Sequence, residues 1–163
     1  MSVSGELSPG RAVRLRTPLN DLGLVALGGT LGTLARYGIG AALRTHEVEG
    51  WFPVATFTVN VVGALLLGVV VAVIGRMPGT ARFGGARMRD IRLFMGTGIL
   101  GGFTTYSGLA TETGQLLLGD QAGLGLVYAG MTIVTGLTAS ALGLWLGGRI
   151  VPGQAAEPGE GAP

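Results

Sequence analysis

The sequence predicts an all-α membrane protein of four transmembrane helices, and three observations carry that prediction. Apolar residues gather into four long runs instead of amphipathic stripes. Only 12% of the residues are charged, about half the share found in ordinary soluble domains. The eleven basic residues are all arginines, and they concentrate outside the apolar runs. A mean hydropathy of +0.56 agrees with this reading.

The first run, Leu22–Leu43, is interrupted by Thr30, Thr33, Arg36 and Tyr37. The second, Trp51–Ile74, holds Thr56, Thr58 and Asn60 as its non-aromatic polar residues. The third, Ile91–Leu118, is the most polar and glycine-rich, and the fourth, Ala122–Gly148, carries no charge. Each exceeds the roughly 20 residues that cross a ~30 Å hydrocarbon layer as a helix. Helix is required because lipid offers backbone amides no partners and an α-helix satisfies them internally. The valine-rich stretch Val69–Val73 reads as strand by composition alone, but its length and setting make it part of a spanning helix. Residues 1–18 form a basic cytoplasmic tail with no apolar stretch typical of a cleaved signal peptide. Residues 19–150 form the transmembrane domain. Residues 151–163, rich in Pro, Gly, Ala and Glu, are expected to be disordered.

Thirty-two glycines would weaken soluble helices, but in a bilayer they let helices approach closely. Gly28 and Gly32, Gly98 and Gly102, and Gly143 and Gly147 keep the four-residue spacing of a small-residue seam. Orientation follows from arginine placement. With four spans, Arg11, Arg14, Arg16, Arg76, Arg82, Arg87, Arg89, Arg92 and Arg149 share one side, and Arg44 stands alone on the other. The positive-inside rule puts both termini in the cytoplasm of a cell-membrane protein.

Several function classes fall away on composition. There is no cysteine, so disulfides, thiolate metal sites and cysteine nucleophiles are absent. The single histidine, His46, lies in a polar stretch beside Glu47 and Glu49 and reads as a loop residue, not a metal ligand. The sequence pI near 9.7 reflects topology signals and not a nucleic-acid surface. No paired acid and base marks an enzyme.

The residues that could carry chemistry centre on the third run, Gly96-Thr97-Gly98-Ile99-Leu100-Gly101-Gly102-Phe103-Thr104-Thr105-Tyr106-Ser107. Paired glycines followed by paired threonines should break a helix at mid-membrane. Exposed carbonyls there could coordinate a cation. Equally, the stretch could be a glycine kink whose threonine hydroxyls bond back to the preceding turn. Thr56 and Asn60, four residues apart, share a face of the second helix, and Tyr128 and Thr132 share one on the fourth. Such stripes either glue helices together or present a track of neutral donors to an anion. Arg36 and Glu112 are the ionisable groups inside spanning segments, each a functional candidate or a side chain reaching toward the interface.

Three blocks together resemble the CrcB (Fluc) fluoride channel family: Gly28-Gly29-Thr30-Leu31-Gly32-Thr33-Leu34-Ala35-Arg36-Tyr37, then Thr56-Phe57-Thr58-Val59-Asn60-Val61-Val62-Gly63, then Gly101-Gly102-Phe103-Thr104-Thr105-Tyr106-Ser107. The resemblance implies passive export of fluoride: hydrofluoric acid enters uncharged, dissociates inside, and the trapped anion leaves down its gradient. It implies an antiparallel dimer of dual-topology type with two anion pathways. It also implies a structural sodium ion at the dimer centre, held by the carbonyls of Gly101 and Thr104 at a break in the third helix. The anion pathway would then involve Thr56, Asn60, Thr105, Tyr106, Ser107, Glu112, Tyr128 and Thr132, with Arg36 at a vestibule or serving topology.

The family pattern Thr-Thr-Phe-Ser-Thr-Phe-Ser is replaced here by Thr104-Thr105-Tyr106-Ser107-Gly108-Leu109-Ala110. Tyr106 keeps the electropositive ring edge of an aromatic, but Leu109 has none. Ala110 drops a hydroxyl, and Gly136 stands where the family suggests a serine. Nine arginines against one also oppose insertion in both orientations. The expected assembly is therefore a heterodimer with a related subunit inserted the other way, in preference to an antiparallel homodimer. Two rivals remain: a small four-helix proton-coupled exporter of cations or drugs, with Glu112 as its one embedded acid, and a non-conducting structural partner subunit.

Overall fold

The computed structural model describes residues 18–44, 52–76 and 84–150. Among these, every regular element is helical. The expected tails, the loop around His46, and Arg82 lie outside the described residues. Helix α1 spans Pro18–Arg44 and α2 spans Val54–Arg76. Helix α3, Gly84–Ile91, passes directly into a π-helical segment, Arg92–Leu100, and a single turn, α4, Gly101–Phe103. Helix α5 covers Tyr106–Leu118 and α6 covers Ala122–Ile150.

Local chemistry sets these limits. Helix α2 starts just after Pro53, which has no N–H to leave unsatisfied and whose carbonyl accepts the Phe57 N–H at 3.1 Å. Helix α5 starts at an N-cap, Thr105, whose hydroxyl accepts the Gly108 N–H at 3.0 Å. It ends at Gly119, followed by Asp120 at φ 59°, a left-handed conformation that aspartate tolerates. Three of these helices are long and apolar enough to cross a membrane: α1 over Leu19–Leu43, α2 over Val54–Arg76 and α6 over Ala122–Ile150.

Two parallel helix pairs build the body. In the first, α1 lies against the third segment. Gly28 meets the backbone of Phe94, Gly98 and Ile99, Gly32 meets Ile99 and Phe103, and Gly102 meets Gly29. In the second, α2 lies against α6: Gly68 meets Ser140, Gly143 meets Leu65 and Val69, and Gly147 meets Val69 and Ala72. The seams expected from glycine spacing are therefore the lines along which backbones touch. Helices α2 and α5 run in opposite directions, since Thr56 pairs with Glu112 and Asn60 with Thr105.

Within the stretch of paired glycines and paired threonines, helical geometry lapses at the threonines and not at the glycines. Gly101–Phe103 stays helical, and helical dihedrals lapse at Thr104 (φ −77°, ψ 159°) and Thr105 (φ −146°, ψ 114°). Close packing explains this, because Gly98 and Gly102 serve contact with α1, where their missing side chains make room. The π-helical turn of the segment was not foreseen; its end is marked by the Gly101 N–H, which points to the carbonyls of both Gly96 and Gly98.

At Gly32 a methyl group would overlap the Ile99 carbonyl, whereas at Gly38 it meets nothing within 4 Å. Gly32→Ala should therefore lower stability by about 1–3 kcal/mol through overpacking. Gly38→Ala should be neutral or gain about 0.5–1 kcal/mol from helix propensity. Unfolding in mixed detergent micelles reads both, and equal effects at the two sites would contradict the packing described.

Candidate functional site

The site grows from the two extended threonines. Phe103 is buried where the third segment meets α2, and the chain then leaves helical geometry for two residues. The Thr105 N–H and the Thr104 carbonyl lose their helical partners there, and in an apolar setting each needs another. Asn60 on α2 makes two bonds to Thr105: its Oδ1 accepts the Thr105 N–H at 2.8 Å, and its Nδ2 donates to the Thr105 carbonyl at 3.0 Å. The primary amide thus pairs with Thr105 as a neighbouring strand would. Arg36 on α1 donates from Nη1 to the Thr104 carbonyl at 3.2 Å. The Thr104 N–H and hydroxyl both donate to the Leu100 carbonyl, at 3.0 and 2.9 Å.

A second polar knot lies further along α5. Glu112 accepts from the Thr56 hydroxyl through Oε1 and from the Tyr128 hydroxyl through Oε2, each at 2.6 Å. One carboxylate so ties α2, α5 and α6. Short O–H···O⁻ bonds are the strong kind. The Tyr128 ring is fully buried, 0% exposed, and Phe52 packs edge-on against it with centroids 5.3 Å apart. Thr132 is also buried, but its hydroxyl donates back to the Tyr128 carbonyl at 2.7 Å.

Two surface depressions flank these knots. One, of about 450 Å³, is lined by Arg36, Thr105, Ser107, Gly108, Thr111, Glu112 and Gln115. The other, of about 350 Å³, includes Thr33, Arg36, Tyr37, Thr56 and Thr105. Arg36 and Thr105 belong to both. Ser107 sits 3.2 Å from Thr105, hydroxyl to hydroxyl.

Of the residues expected from sequence, Arg36, Asn60, Thr104, Thr105, Ser107, Thr56 and Glu112 come together here. Tyr128 joins through Glu112, and Thr132 lies one turn deeper. Tyr106 stands apart with 83% of its surface exposed, and Gly101 is likewise exposed. Thr33, Thr111 and Gln115 were missed. Their signal was available in part: Ser107, Thr111 and Gln115 recur every four residues, one polar stripe along α5.

Residues 23–144 match the family described as "CrcB-like protein, Camphor Resistance (CrcB)". The chain belongs to the CrcB family. A protein of Leifsonia xyli subsp. xyli named "Fluoride-specific ion channel FluC 2" is 44% identical over 128 residues, which is 78% of this chain and 83% of that protein. A Thermus thermophilus protein named "Fluoride-specific ion channel FluC" is 42% identical over 128 residues, covering 78% of this chain and 95% of its own length. A Deinococcus radiodurans protein of the same name is 39% identical over 126 residues, 77% of this chain and 94% of that one. The CrcB family is one of ion channels and not of enzymes.

Within this CrcB chain, Asn60→Ala would leave the Thr105 N–H without a partner and take one bond from its carbonyl. The expected loss is about 1–3 kcal/mol for each group left unpaired. Denaturant titration in micelles checks it. A loss no larger than that of Thr58→Ala would mean that the Asn60 bonds contribute little.

Proposed function

We propose that this chain is a subunit of a fluoride channel that lets fluoride leave the cytoplasm passively. The observation that carries the reading is the depression beside Thr105. It gathers the guanidinium of Arg36 with the hydroxyls of Thr105, Ser107 and Thr111, in a chain whose relatives are named fluoride-specific ion channels. A small anion gives up water only if donors replace it, and neutral hydroxyls do so without holding it too tightly to leave. Glu112 lines the same depression, and its negative charge is offset by the two hydroxyls that donate to it.

The proposal extends to the membrane arrangement. Residues 84–118 form the third of four spans, interrupted at mid-membrane by Thr104 and Thr105, and both termini lie in the cytoplasm. A structural sodium ion belongs to the same proposal, with the carbonyls of Gly101 and Thr104 as donors. Neutral carbonyl oxygens suit a hard cation. A side chain at Gly101 would meet nothing within 4 Å, and the Thr105 N–H that would have closed onto its carbonyl goes to Asn60 instead. Thr104 keeps one lone pair beside the bond from Arg36. Two carbonyls are too few for such an ion, so a second, inverted subunit must bring its own pair.

Arginine asymmetry favours a related, oppositely inserted subunit over a second copy of this chain. Leu109 favours a weakened pathway in this subunit, since it lacks the aromatic edge that Tyr106 retains. The proton-coupled exporter reading loses ground because both oxygens of its one embedded acid, Glu112, are taken up by hydroxyls.

Vesicles holding this chain with its oppositely biased relative should release fluoride, read by a fluoride electrode, and should retain chloride. Absence of fluoride release from both the paired and the single chain would overturn the reading. In the paired vesicles, Leu109→Phe should raise the fluoride rate several-fold, roughly the effect of one added aromatic contact.

A further inference from the structure

We propose that Arg36 is the built-in counter-cation of the helix interruption, so that Thr104 and Thr105 hold their extended form within one subunit and without a metal ion. The inference deepens the proposed site, and it rests on that reading only for the identity of the ion that would share the Thr104 carbonyl.

Every backbone group of the two threonines already has a partner from the same chain. The Thr104 N–H donates to the Leu100 carbonyl and the Thr104 carbonyl accepts from Arg36. The Thr105 N–H and carbonyl both pair with Asn60. No unsatisfied group at the two threonines remains for a cation to satisfy. The bond from Arg36 is charge-assisted and so stronger than a neutral one, and a guanidinium stays charged at any ordinary pH.

Packing places this charge. Gly32 presses α1 against the backbone of Ile99 and Phe103, and Thr33 reaches the Gly102 carbonyl at 3.4 Å. Arg36 lies one turn beyond Gly32 on the same face, which sets its head group at the first carbonyl past the helix end. Among the described residues no ion pair cancels its charge. A sodium ion arriving at Thr104 would therefore meet a carbonyl already polarised by a fixed cation. Its role is to join two finished interruptions and not to create either one. Arg36 is in these terms a positioning residue, acting on the pathway through the Thr104 carbonyl.

The test is amide hydrogen exchange over residues 101–108 of the full chain in detergent, followed by mass spectrometry, in sodium buffer and in N-methylglucamine buffer. The unmodified chain should exchange alike in both, within about twofold, because the segment's protection comes from its own bonds. Arg36→Met should speed exchange there by about tenfold or more, the loss expected for a hydrogen bond to a charged group. Arg36→Lys, which keeps the charge, should restore most of that protection. Rapid exchange of the unmodified chain on removal of sodium would overturn the inference, and so would an Arg36→Met variant as protected as the parent or a lysine variant with no rescue. Should the methionine variant fail to fold, the sodium comparison on the unmodified chain decides. No fluoride is needed for the readout, so a chain that conducts nothing still answers it.

Discussion

A backbone that leaves helical geometry within an apolar helix bundle must find new partners for its amides and carbonyls, and the rest of this structure is arranged around meeting that demand at Thr104 and Thr105. Asn60 meets it from α2 with a side chain whose donor and acceptor match the two groups of Thr105. Arg36 meets it from α1. Thr105 then turns its own hydroxyl to the Gly108 amide in the first turn of α5. The two threonines are thus held by hydrogen bonds drawn from three helices, and Arg36 and Thr105, which take part in them, also line the surface depressions beside them. Structural support and candidate pathway are one constellation.

Two kinds of contact divide the remaining work. Glycine seams hold α1 to the third segment and α2 to α6, where close backbone approach supplies dispersion contact that bulky side chains would prevent. Polar bonds then tie one pair to the other: Asn60 to Thr105, and the carboxylate of Glu112 to Thr56 and Tyr128. The seams are long and fix direction, while the polar ties are few and fix register. At the N-terminal end of the first pair, Arg89 bonds Asp21 across α3 and α1, adding an exposed ion pair to a contact already set by glycine. Exposed pairs of that sort add little by themselves.

Much of the fold was legible because its cause is one-dimensional. Run length against bilayer thickness marked α1, α2 and α6, and four-residue glycine spacing marked the seams. The candidate site was legible residue by residue where polar groups stand out against an apolar background, as with Asn60, Arg36 and Glu112. Roles were harder to read. Spacing placed Thr132 beside Tyr128 on one face but could not show that its hydroxyl bonds back to its own helix. Paired glycines and paired threonines together marked the break, but spacing could not say which pair would leave helical geometry; Gly102 is needed for contact with α1, and the threonines extend. Asn60 looked like a pore group, and its amide is spent largely on holding Thr105.

By itself the sequence determined that this chain lives in lipid as a set of apolar helices, which faces carry small residues, and which polar side chains those helices must accommodate. Those properties depend on composition and on spacing along a single helix, where period and length suffice. Only the tertiary structure decided that the helical geometry lapses at Thr104 and Thr105, that one amide and one guanidinium from other helices close the gap, and that one carboxylate gathers two hydroxyls. Each of those outcomes depends on groups 16 to 68 positions apart in the chain, brought within bonding distance by helix packing that no local pattern encodes.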